Sequence, residues 1–142
     1  MRILIDTNVL VDYIAEREKF FECAEKIVEL CKNNLVSGAL SSQSIADTFY
    51  ILRKDFSVAE RKTLLLSICR IFHVEAVDEV KILFALADET FSDFEDCLQV
   101  QCAKSFRADY IVTRNVKDFA ASEIPAVTPE DFFELEEVKS VL

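Results

Sequence analysis

The sequence predicts an α/β protein, a single-domain three-layer α/β/α sandwich with a parallel sheet covered by helices on both faces. Short apolar runs alternate along the chain with longer segments that have helical spacing, a pattern typical of parallel sheets. The chain has 142 residues, of which 51% are apolar, enough to fill one core. No repeat or low-complexity linker interrupts it. We therefore expect one domain that spans residues 1–142.

The first half of the chain is predicted to contain two strands and four helices. Apolar side chains recur with helical spacing between residues 19 and 33, and Asn33-Asn34 then gives a stop signal. Ser41-Ser42 and Ser57 supply capping side chains for the two helices that follow. The expected strands are 2–5 and 35–40, and the expected helices are 9–15, 19–33, 42–54 and 58–72.

The second half continues the alternation with three strands and three helices. Asp78 is expected to cap one helix, and Ser92 or Asp93 the next. Thr128-Pro129 opens a last helix that runs into the acidic tail, with proline at its first position. The expected strands are 73–77, 109–113 and one near 126–127, and the first two of these helices are 78–87 and 94–106.

Composition excludes several classes of protein. Gly38 is the only glycine, so the sequence has neither a P-loop nor a dinucleotide-binding fingerprint. Five cysteines without a CxxC pair argue against zinc ribbons and thioredoxin-like sites. The only histidine, His73, follows Cys69 by four residues, but no group nearby would orient a Cys–His nucleophile. Chemistry is therefore expected to depend on carboxylates.

The charge and hydropathy of the chain bear on its partners and location. A net charge of −10 is unusual for a nucleic-acid-binding protein and suits one that holds metal cations or a basic partner. No apolar run reaches the roughly 18 residues that a membrane span needs. The N-terminus also lacks the pattern of a secretory signal. We therefore expect a cytoplasmic protein without membrane contact.

Two aspartates stand where a purely structural explanation is strained. Asp6 ends an apolar strand where a helix begins, which would place it at the carboxyl edge of the sheet, where open α/β proteins bind ligands. Its alternative role is a helix cap. Asp47 lies inside a predicted helix, where aspartate has poor propensity, within the mostly uncharged run SSQSIADTFYIL. An exposed helical turn would also explain Asp47.

Asp93 and Asp96 form a second acidic position, three residues apart at a helix start. Asp93 could be only a cap, and Asp96 could be the acid of a capping box. Both roles are compatible with metal binding. Carboxylates that converge at one sheet edge repel one another unless cations hold them. Oxygen ligands without His or Cys favour Mg²⁺ or Mn²⁺.

Four segments together resemble one known family. MRILIDTNVLVDY, SSQSIADTFYILRK, SDFEDCLQVQCA and ADYIVTRNVKDF are similar, in order and spacing, to PIN-domain nucleases of the VapC toxin type. The resemblance covers nearly the whole chain. It implies a five-stranded parallel sheet and Mg²⁺- or Mn²⁺-dependent hydrolysis of RNA that leaves 5′-phosphate and 3′-hydroxyl ends. It also implies a single-stranded RNA substrate, a small antitoxin partner and a homodimer.

The resemblance assigns roles residue by residue. Asp6, Asp47 and Asp96 are the implied catalytic metal ligands, with Asp93 as an additional ligand; many members carry Glu in place of Asp47. Many also carry Asp in place of Asn115, and an amide is the weaker ligand, so the number of metals stays open. The implied supporting polar residues are Asn8, Thr113 and Asn115, and the candidate RNA-binding cations are Arg53, Lys54, Arg114 and Lys117. For each cation, a solvated helix end or turn is an equal explanation.

Alternative functions remain open from the sequence. A Mg²⁺-dependent phosphatase of the haloacid-dehalogenase type also begins with a strand that ends in Asp. It would need a second Asp at Asn8 and a lysine motif that is absent here. A receiver domain would need an acidic pair before Asp6. The remaining alternative is a non-catalytic PIN-like protein that only binds a partner, which Asn115 keeps open.

Overall fold

The computed structural model describes all 142 residues and contains one parallel five-stranded sheet in the order β3-β2-β1-β4-β5. Both neighbours of the central strand β1 run parallel to it, and so do the two outer strands. The strand order reverses beside β1, since β2 lies on one side and β4 on the other. The strands are β1 (Arg2–Ile5), β2 (Ser37–Ser41), β3 (His73–Glu75), β4 (Tyr110–Val112) and β5 (Ala126–Val127).

Eight helices connect and cover the strands. There are also two short 3-10 turns, Leu52–Lys54 after the third helix and Val116–Phe119 after β4. The helices are α1 (Thr7–Ile14), α2 (Phe21–Lys32), α3 (Ser42–Ile51), α4 (Val58–Ile71), α5 (Glu79–Ala87), α6 (Phe94–Phe106), α7 (Pro129–Phe132) and α8 (Glu136–Lys139). No helix is both long and apolar enough to cross a membrane.

Side chains of β1 alternate between two cores, which makes the molecule three-layered. Ile3 and Ile5 pack into the larger core with residues of α1, α2 and α4, whereas Leu4 packs on the other face with residues of α6. Successive side chains of a strand point to opposite faces, so a strand buried on both sides is apolar throughout. The predicted fold class, an α/β sandwich with five parallel strands, is confirmed.

Gly38 permits close packing beneath the sheet. A Cβ atom at this position would lie 2.6 Å from the Phe72 ring and 2.8 Å from Cys31 Sγ. These distances are too short for a methyl group, so the single glycine serves packing rather than a phosphate loop. All five cysteines are free, and three of them are buried: Cys31, Cys97 and Cys102.

Most predicted elements form, with small shifts at their ends. α1 begins at Thr7 rather than at residue 9, because Asp6 itself is the capping residue. β2 begins at Ser37 rather than at residue 35, because Asn34 adopts a left-handed conformation with φ 58° and delays the strand. β3 ends at Glu75 rather than at residue 77, since the Val77 N–H donates to Ser42 Oγ at 2.9 Å instead of to a strand.

The prediction of one continuous C-terminal helix was wrong. α7 and α8 are separate short helices, and the backbone is extended at Leu135 between them. Phe132 and Val138 are both fully buried in the same core. In six residues of continuous helix, at about 100° per residue, their side chains would point about 120° apart around the helix axis. The break lets both side chains reach the core.

Candidate metal and substrate site

The carboxyl ends of β1 and β4 meet where the strand order reverses, the place where open α/β sheets bind ligands. The Asp6 N–H donates to Val112 O at 2.9 Å, which ties the end of β1 to the end of β4. A cavity of about 410 Å³ opens at this edge. Its walls include the side chains of Asp6, Asn8, Gln43, Ser44, Asp47, Asp96, Gln99 and Asn115. The structure thus brings together three of the four predicted acidic residues.

Asp6 is the most deeply held carboxylate of the cavity and is 8% exposed. Its Oδ1 accepts hydrogen bonds from the Thr7 N–H at 2.8 Å and from Gln99 Nε2 at 3.0 Å. Its Oδ2 accepts from Thr113 Oγ1 at 2.8 Å and from Asn8 Nδ2 at 3.2 Å. Four donors fix the carboxylate and compensate for its burial. Asp6 therefore both caps α1 and forms the floor of the cavity.

Three polar residues predicted to support the site lie around Asp6. Thr113 is fully buried at the end of β4, and its Oγ1 accepts the Asn115 N–H at 3.0 Å. Asn8 also approaches Thr113 Oγ1, at 3.4 Å, and accepts the Arg114 N–H at 3.3 Å. Asn115 lines the cavity itself. These contacts connect the loop after β4 to the first turn of α1.

Asp47 enters the cavity from α3. Its carboxylate is partly exposed and accepts Gln43 Nε2 at 2.9 Å, one helical turn earlier. The N-terminus of α3 is capped by Ser41, whose Oγ accepts the Ser44 N–H at 3.0 Å. Capping at the end of β2 fixes where α3 begins, and so sets the face that carries Gln43 and Asp47. An exposed helical turn does not describe Asp47, because it lies in the cavity wall.

Asp93 and Asp96 have different positions at the start of α6. Asp93 is the capping residue, and its Oδ1 accepts the Glu95 and Asp96 N–H groups at 2.8 and 3.1 Å. The reciprocal bond of a capping box is not formed, so the Asp96 carboxylate remains free. Asp96 lines the cavity, whereas Asp93 does not. Asp93 therefore caps α6, and Asp96 is the residue of this pair that lines the cavity.

The electrostatic field of the cavity is most evident at Asp96. Partial burial, followed by repulsion from Asp93, Asp6, Asp118 and Glu95, raises the pKa of Asp96 to about 7 from an ordinary value of 3.8. Like charges and desolvation both disfavour the ionised form. A perturbed carboxylic acid in a cleft is a feature of functional sites. A bound cation would relieve this repulsion.

The four cations proposed to contact RNA do not line the cavity. Arg114 turns away from it, donating from Nε to Asp12 Oδ2 at 2.7 Å and stacking 4.1 Å from the Phe20 ring centre. Arg53 stacks 3.8 Å from the ring centre of Tyr50, a residue of the cavity rim. Lys54 and Lys117 are exposed. The structure therefore gives the Arg114 side chain a structural contact and stacks Arg53 on a residue of the cavity rim.

The sequence analysis missed several residues that shape this region, among them Asp12, Arg17, Ser44, Glu95 and Gln99. Arg17 lines the cavity and lies 3.4 Å from the buried Asp12. Asp12 had a detectable signal, since it interrupts an apolar helix just as Asp47 does. Gln99 also had one, because it follows Asp96 by three residues and so shares its helix face. Arg17 had none, since it lies in a charged surface run.

The donor set fits a hard divalent cation in its chemistry. Asp6, Asp47 and Asp96 offer carboxylate oxygens to one cavity, and neither His nor Cys is among the lining residues. The amide oxygen of Gln99 is buried there without a hydrogen-bond partner. No three His, Cys, Asp or Glu side chains are yet close enough to share a metal ion. These side chains thus surround a common space without forming a closed coordination shell.

Fold and site together define an α/β protein with an acidic cavity at the strand-order reversal. The PIN-domain family model matches residues 2–117. The chain belongs to the PIN-domain family. No curated protein sequence matches it significantly.

Three solved structures share the fold, and one of them is described as a toxin–antitoxin complex. VapBC2 from Rickettsia felis bound to a promoter DNA fragment is similar with TM-score 0.66 and 18% identity, covering 90% of this chain and 98% of that chain. A toxin–antitoxin complex from Klebsiella pneumoniae gives TM-score 0.66 and 23% identity, with coverages of 89% and 97%. FitAB bound to the IR36 DNA fragment gives a TM-score of 0.64 and 18% identity, and the match covers 89% of this chain and 94% of that chain. At these identities the likeness concerns the fold.

Proposed function

We propose that this PIN-domain protein, across residues 1–142, is a Mg²⁺- or Mn²⁺-dependent endoribonuclease and the toxin of a toxin–antitoxin pair. The observation that carries the proposal is the convergence of Asp6, Asp47 and Asp96 on one cavity at the strand-order reversal. Membership of the PIN-domain family supports it, and so does the fold shared with toxin–antitoxin structures. The phosphatase alternative lacks such support.

The proposed roles follow from the geometry. Asp6, Asp47 and Asp96 would hold the cation, and Asp93 would add negative charge beside Asp96. A divalent cation supplies positive charge for the phosphodiester and activates water for its hydrolysis. Asn8 and Thr113 hold Asp6 in one orientation. Asn115 lies in the cavity wall beside them and offers an uncharged amide to cation or substrate.

We propose that four basic side chains outside the cavity contact the substrate. Arg53 is the best placed of them, because it stacks on Tyr50 at the cavity rim. Single-stranded RNA, the substrate that the family resemblance implies, is the proposed substrate, and Arg53 with Lys54 would contact phosphates beyond the rim. Lys117 follows the cavity residue Asn115 by two positions. Arg114 is the weakest member of the set, because its guanidinium group is already paired with Asp12.

A cleavage assay with two acidic-site variants tests the nuclease proposal. We expect wild-type protein to cut a labelled single-stranded RNA with Mn²⁺ and not with EDTA, leaving 5′-phosphate ends. Asp6→Asn and Asp96→Asn should each lower the cleavage rate about 100-fold or more, since each removes a cation ligand. Glu137→Gln is the matched control, because it removes an exposed charge outside the cavity lining.

Asp96→Asn keeps this test separate from a folding defect. It removes a carboxylate that its neighbours repel, so it should lose activity while the metal-free protein becomes more stable. Equal cleavage by wild type and both variants would show that the cavity is not the source of the activity and would defeat the proposal.

The proposed protein partners are a small antitoxin and a second copy of this chain. Production of the toxin alone should arrest growth of a host cell, and co-production of the small protein encoded beside it should restore growth. Light scattering of the purified chain measures its oligomeric state, with a homodimer expected. A cytoplasmic location is part of the same proposal, and cell fractionation tests it.

A second candidate function is a non-catalytic partner-binding PIN protein. One observation favours it: four protein donors already occupy the Asp6 carboxylate. In that case the protein would bind its partner equally well with Mn²⁺ or EDTA, and Asp6→Asn would not change RNA integrity. Cation-dependent cleavage that disappears in Asp6→Asn would reject this candidate.

A further inference from the structure

Gln99 is hydrogen-bonded both to Asp6 at the end of β1 and to Ser44 in α3. It belongs to α6, one turn after Asp96, and is 5% exposed. Its Nε2 donates to Asp6 Oδ1 and to Ser44 Oγ, both at 3.0 Å. Ser44 Oγ in turn lies 2.7 Å from Thr7 Oγ1. One amide therefore links α6 to the end of β1 and to α3.

The other end of the same amide has no partner. Gln99 Oε1 is buried and accepts no hydrogen bond, although its side chain lines the cavity. A buried polar atom left unpaired is destabilising, because it has lost its hydrogen bonds to water and gained none in the protein. The only other such side-chain atom is Thr48 Oγ1, which does not line the cavity. The unpaired oxygen of Gln99 thus belongs to a residue that lines the cavity, where a ligand would bind.

The amide orientation is determined by its surroundings. Asp6 is a carboxylate whose oxygens only accept hydrogen bonds, so Gln99 must direct its NH₂ group toward it. Rotating the amide by 180° would place Oε1 against Asp6 Oδ1 and leave the Asp6 contact repulsive. The oxygen is therefore held on the side away from Asp6 Oδ1, and it cannot satisfy itself by a flip.

We propose that Gln99 is part of the cation site: its Nε2 positions Asp6, and its Oε1 is an uncharged oxygen ligand for the divalent cation. This inference rests on the proposed metal dependence. Hard cations accept amide oxygens as ligands alongside carboxylates. A neutral ligand adds no repulsion to Asp6, Asp47 and Asp96. It also supplements a site in which position 115 carries an amide, Asn115, rather than a carboxylate.

Direct titration of Mn²⁺ tests the assignment without measuring cleavage. We compare wild type with Gln99→Met, which keeps the unbranched shape and removes both polar atoms, and follow free Mn²⁺ by electron paramagnetic resonance. The affinity for Mn²⁺ should fall about 10–100-fold, as for residues that orient or complete a metal shell. Gln101→Met is the matched control: the same change, on the same helix, at a residue outside the cavity lining. Its affinity should equal that of wild type.

A second variant separates cation binding from simple structural support. Gln99→Glu replaces the donor with a further carboxylate beside Asp6, so the metal-free protein should melt at a lower temperature. Mn²⁺ should then raise the melting temperature of Gln99→Glu more than that of wild type, and raise that of Gln99→Met less. A residue that only supports packing would give equal Mn²⁺-induced shifts in all three proteins, which would overturn the inference.

The outcomes distinguish this inference from the proposed function. If wild type binds Mn²⁺ and Gln99→Met binds it equally well, the role of Gln99 is wrong and the metal-dependent nuclease stands. If wild type binds no Mn²⁺, the metal dependence and the role of Gln99 both fail. Should Gln99→Met not fold, as judged by circular dichroism, Gln99→Asn withdraws the amide by one methylene and should weaken Mn²⁺ binding in the same direction.

Discussion

Two regions of the molecule hold carboxylates in opposite ways. Around β1 and α1, Asp6 accepts four hydrogen bonds, and the 1%-exposed Asp12 meets two arginines, Arg114 and Arg17. At the start of α6, Asp96 has no partner of opposite charge, and partial burial together with repulsion from its carboxylate neighbours raises its pKa to about 7. The first region compensates negative charge, and the second concentrates it.

The difference shows which part of the site is structural and which is available to a ligand. A buried carboxylate with full hydrogen bonding and paired charge is a stable component of the fold. A carboxylate that is repelled and unpaired is stable only with a proton or a cation. The Asp6 side of the cavity is therefore preorganised, whereas the Asp96 side is where a cation would gain most.

The largest expected effect comes from breaking the charge compensation at Asp12. Arg114→Met should leave the buried Asp12 with only the longer 3.4 Å contact to Arg17. Removing one partner of a buried ion pair costs about 3–5 kcal/mol, so the free energy of unfolding should fall by about 3 kcal/mol. Urea denaturation measures this. Lys117→Met, at an exposed lysine three residues after Arg114, should change the free energy of unfolding by less than about 0.5 kcal/mol. Equal midpoints for the two variants would show that Arg17 alone compensates Asp12.

The second effect is a pH dependence that originates at Asp96. Because its pKa is near 7 in the folded protein and near 3.8 when exposed, the folded state holds more protons between these values. The free energy of unfolding of the metal-free protein should therefore fall as pH rises from about 4 to 7. Asp96→Asn should lack this contribution and be more stable at pH 8 by about 1–3 kcal/mol.

Carboxylates with lowered pKa, such as Glu75 and Asp88, have the opposite pH dependence at lower pH. The difference between wild type and Asp96→Asn at each pH removes their contribution. A difference that stays constant from pH 4 to 8 would contradict the assigned pKa shift.

The smallest expected effect comes from a variant of Asp93 that keeps its helix cap and removes its negative charge. Asp93→Ser keeps a side-chain oxygen for the Glu95 and Asp96 N–H groups and removes the carboxylate that repels Asp96. We expect the pKa of Asp96 to fall, since Asp93 is its strongest charged neighbour, while stability changes by less than about 1 kcal/mol. Carbon-13 NMR titration of the Asp96 carboxyl measures the shift. Asp93→Ala should destabilise the protein by about 1 kcal/mol more than Asp93→Ser, through loss of the cap.

Two residues of the acidic part of the site could be predicted from their local sequence. Asp47 lies inside a helix, where aspartate has poor propensity, and Asp6 ends an apolar strand at the carboxyl edge of the sheet, where it also caps α1. Both line the cavity. The cations could not be assigned in this way. Arg114 is adjacent to the cavity in sequence, yet it pairs with Asp12, which lies 102 residues earlier. Local sequence carries no information about a contact of that separation.

Element types followed from periodicity and capping residues, whereas some boundaries depended on long-range packing. Asp78, Ser57 and Asp93 cap the helices predicted for them, because a cap is a bond between neighbours in the chain. The C-terminal break between α7 and α8 depends instead on Phe132 and Val138 both reaching one core. That requirement arises only when the sheet and its helices are in place.

The sequence by itself determined the alternation of strands and helices, the caps and the aspartates at strand and helix ends, because each depends on spacing or on adjacent residues. Only the tertiary structure decided which carboxylates are compensated. Hydrogen bonds from Thr113 and Gln99 reach Asp6 across 107 and 93 residues, and the repulsion at Asp96 depends on distances between elements that fold together. Electrostatic energy depends on these distances in space, and sequence order alone does not specify them.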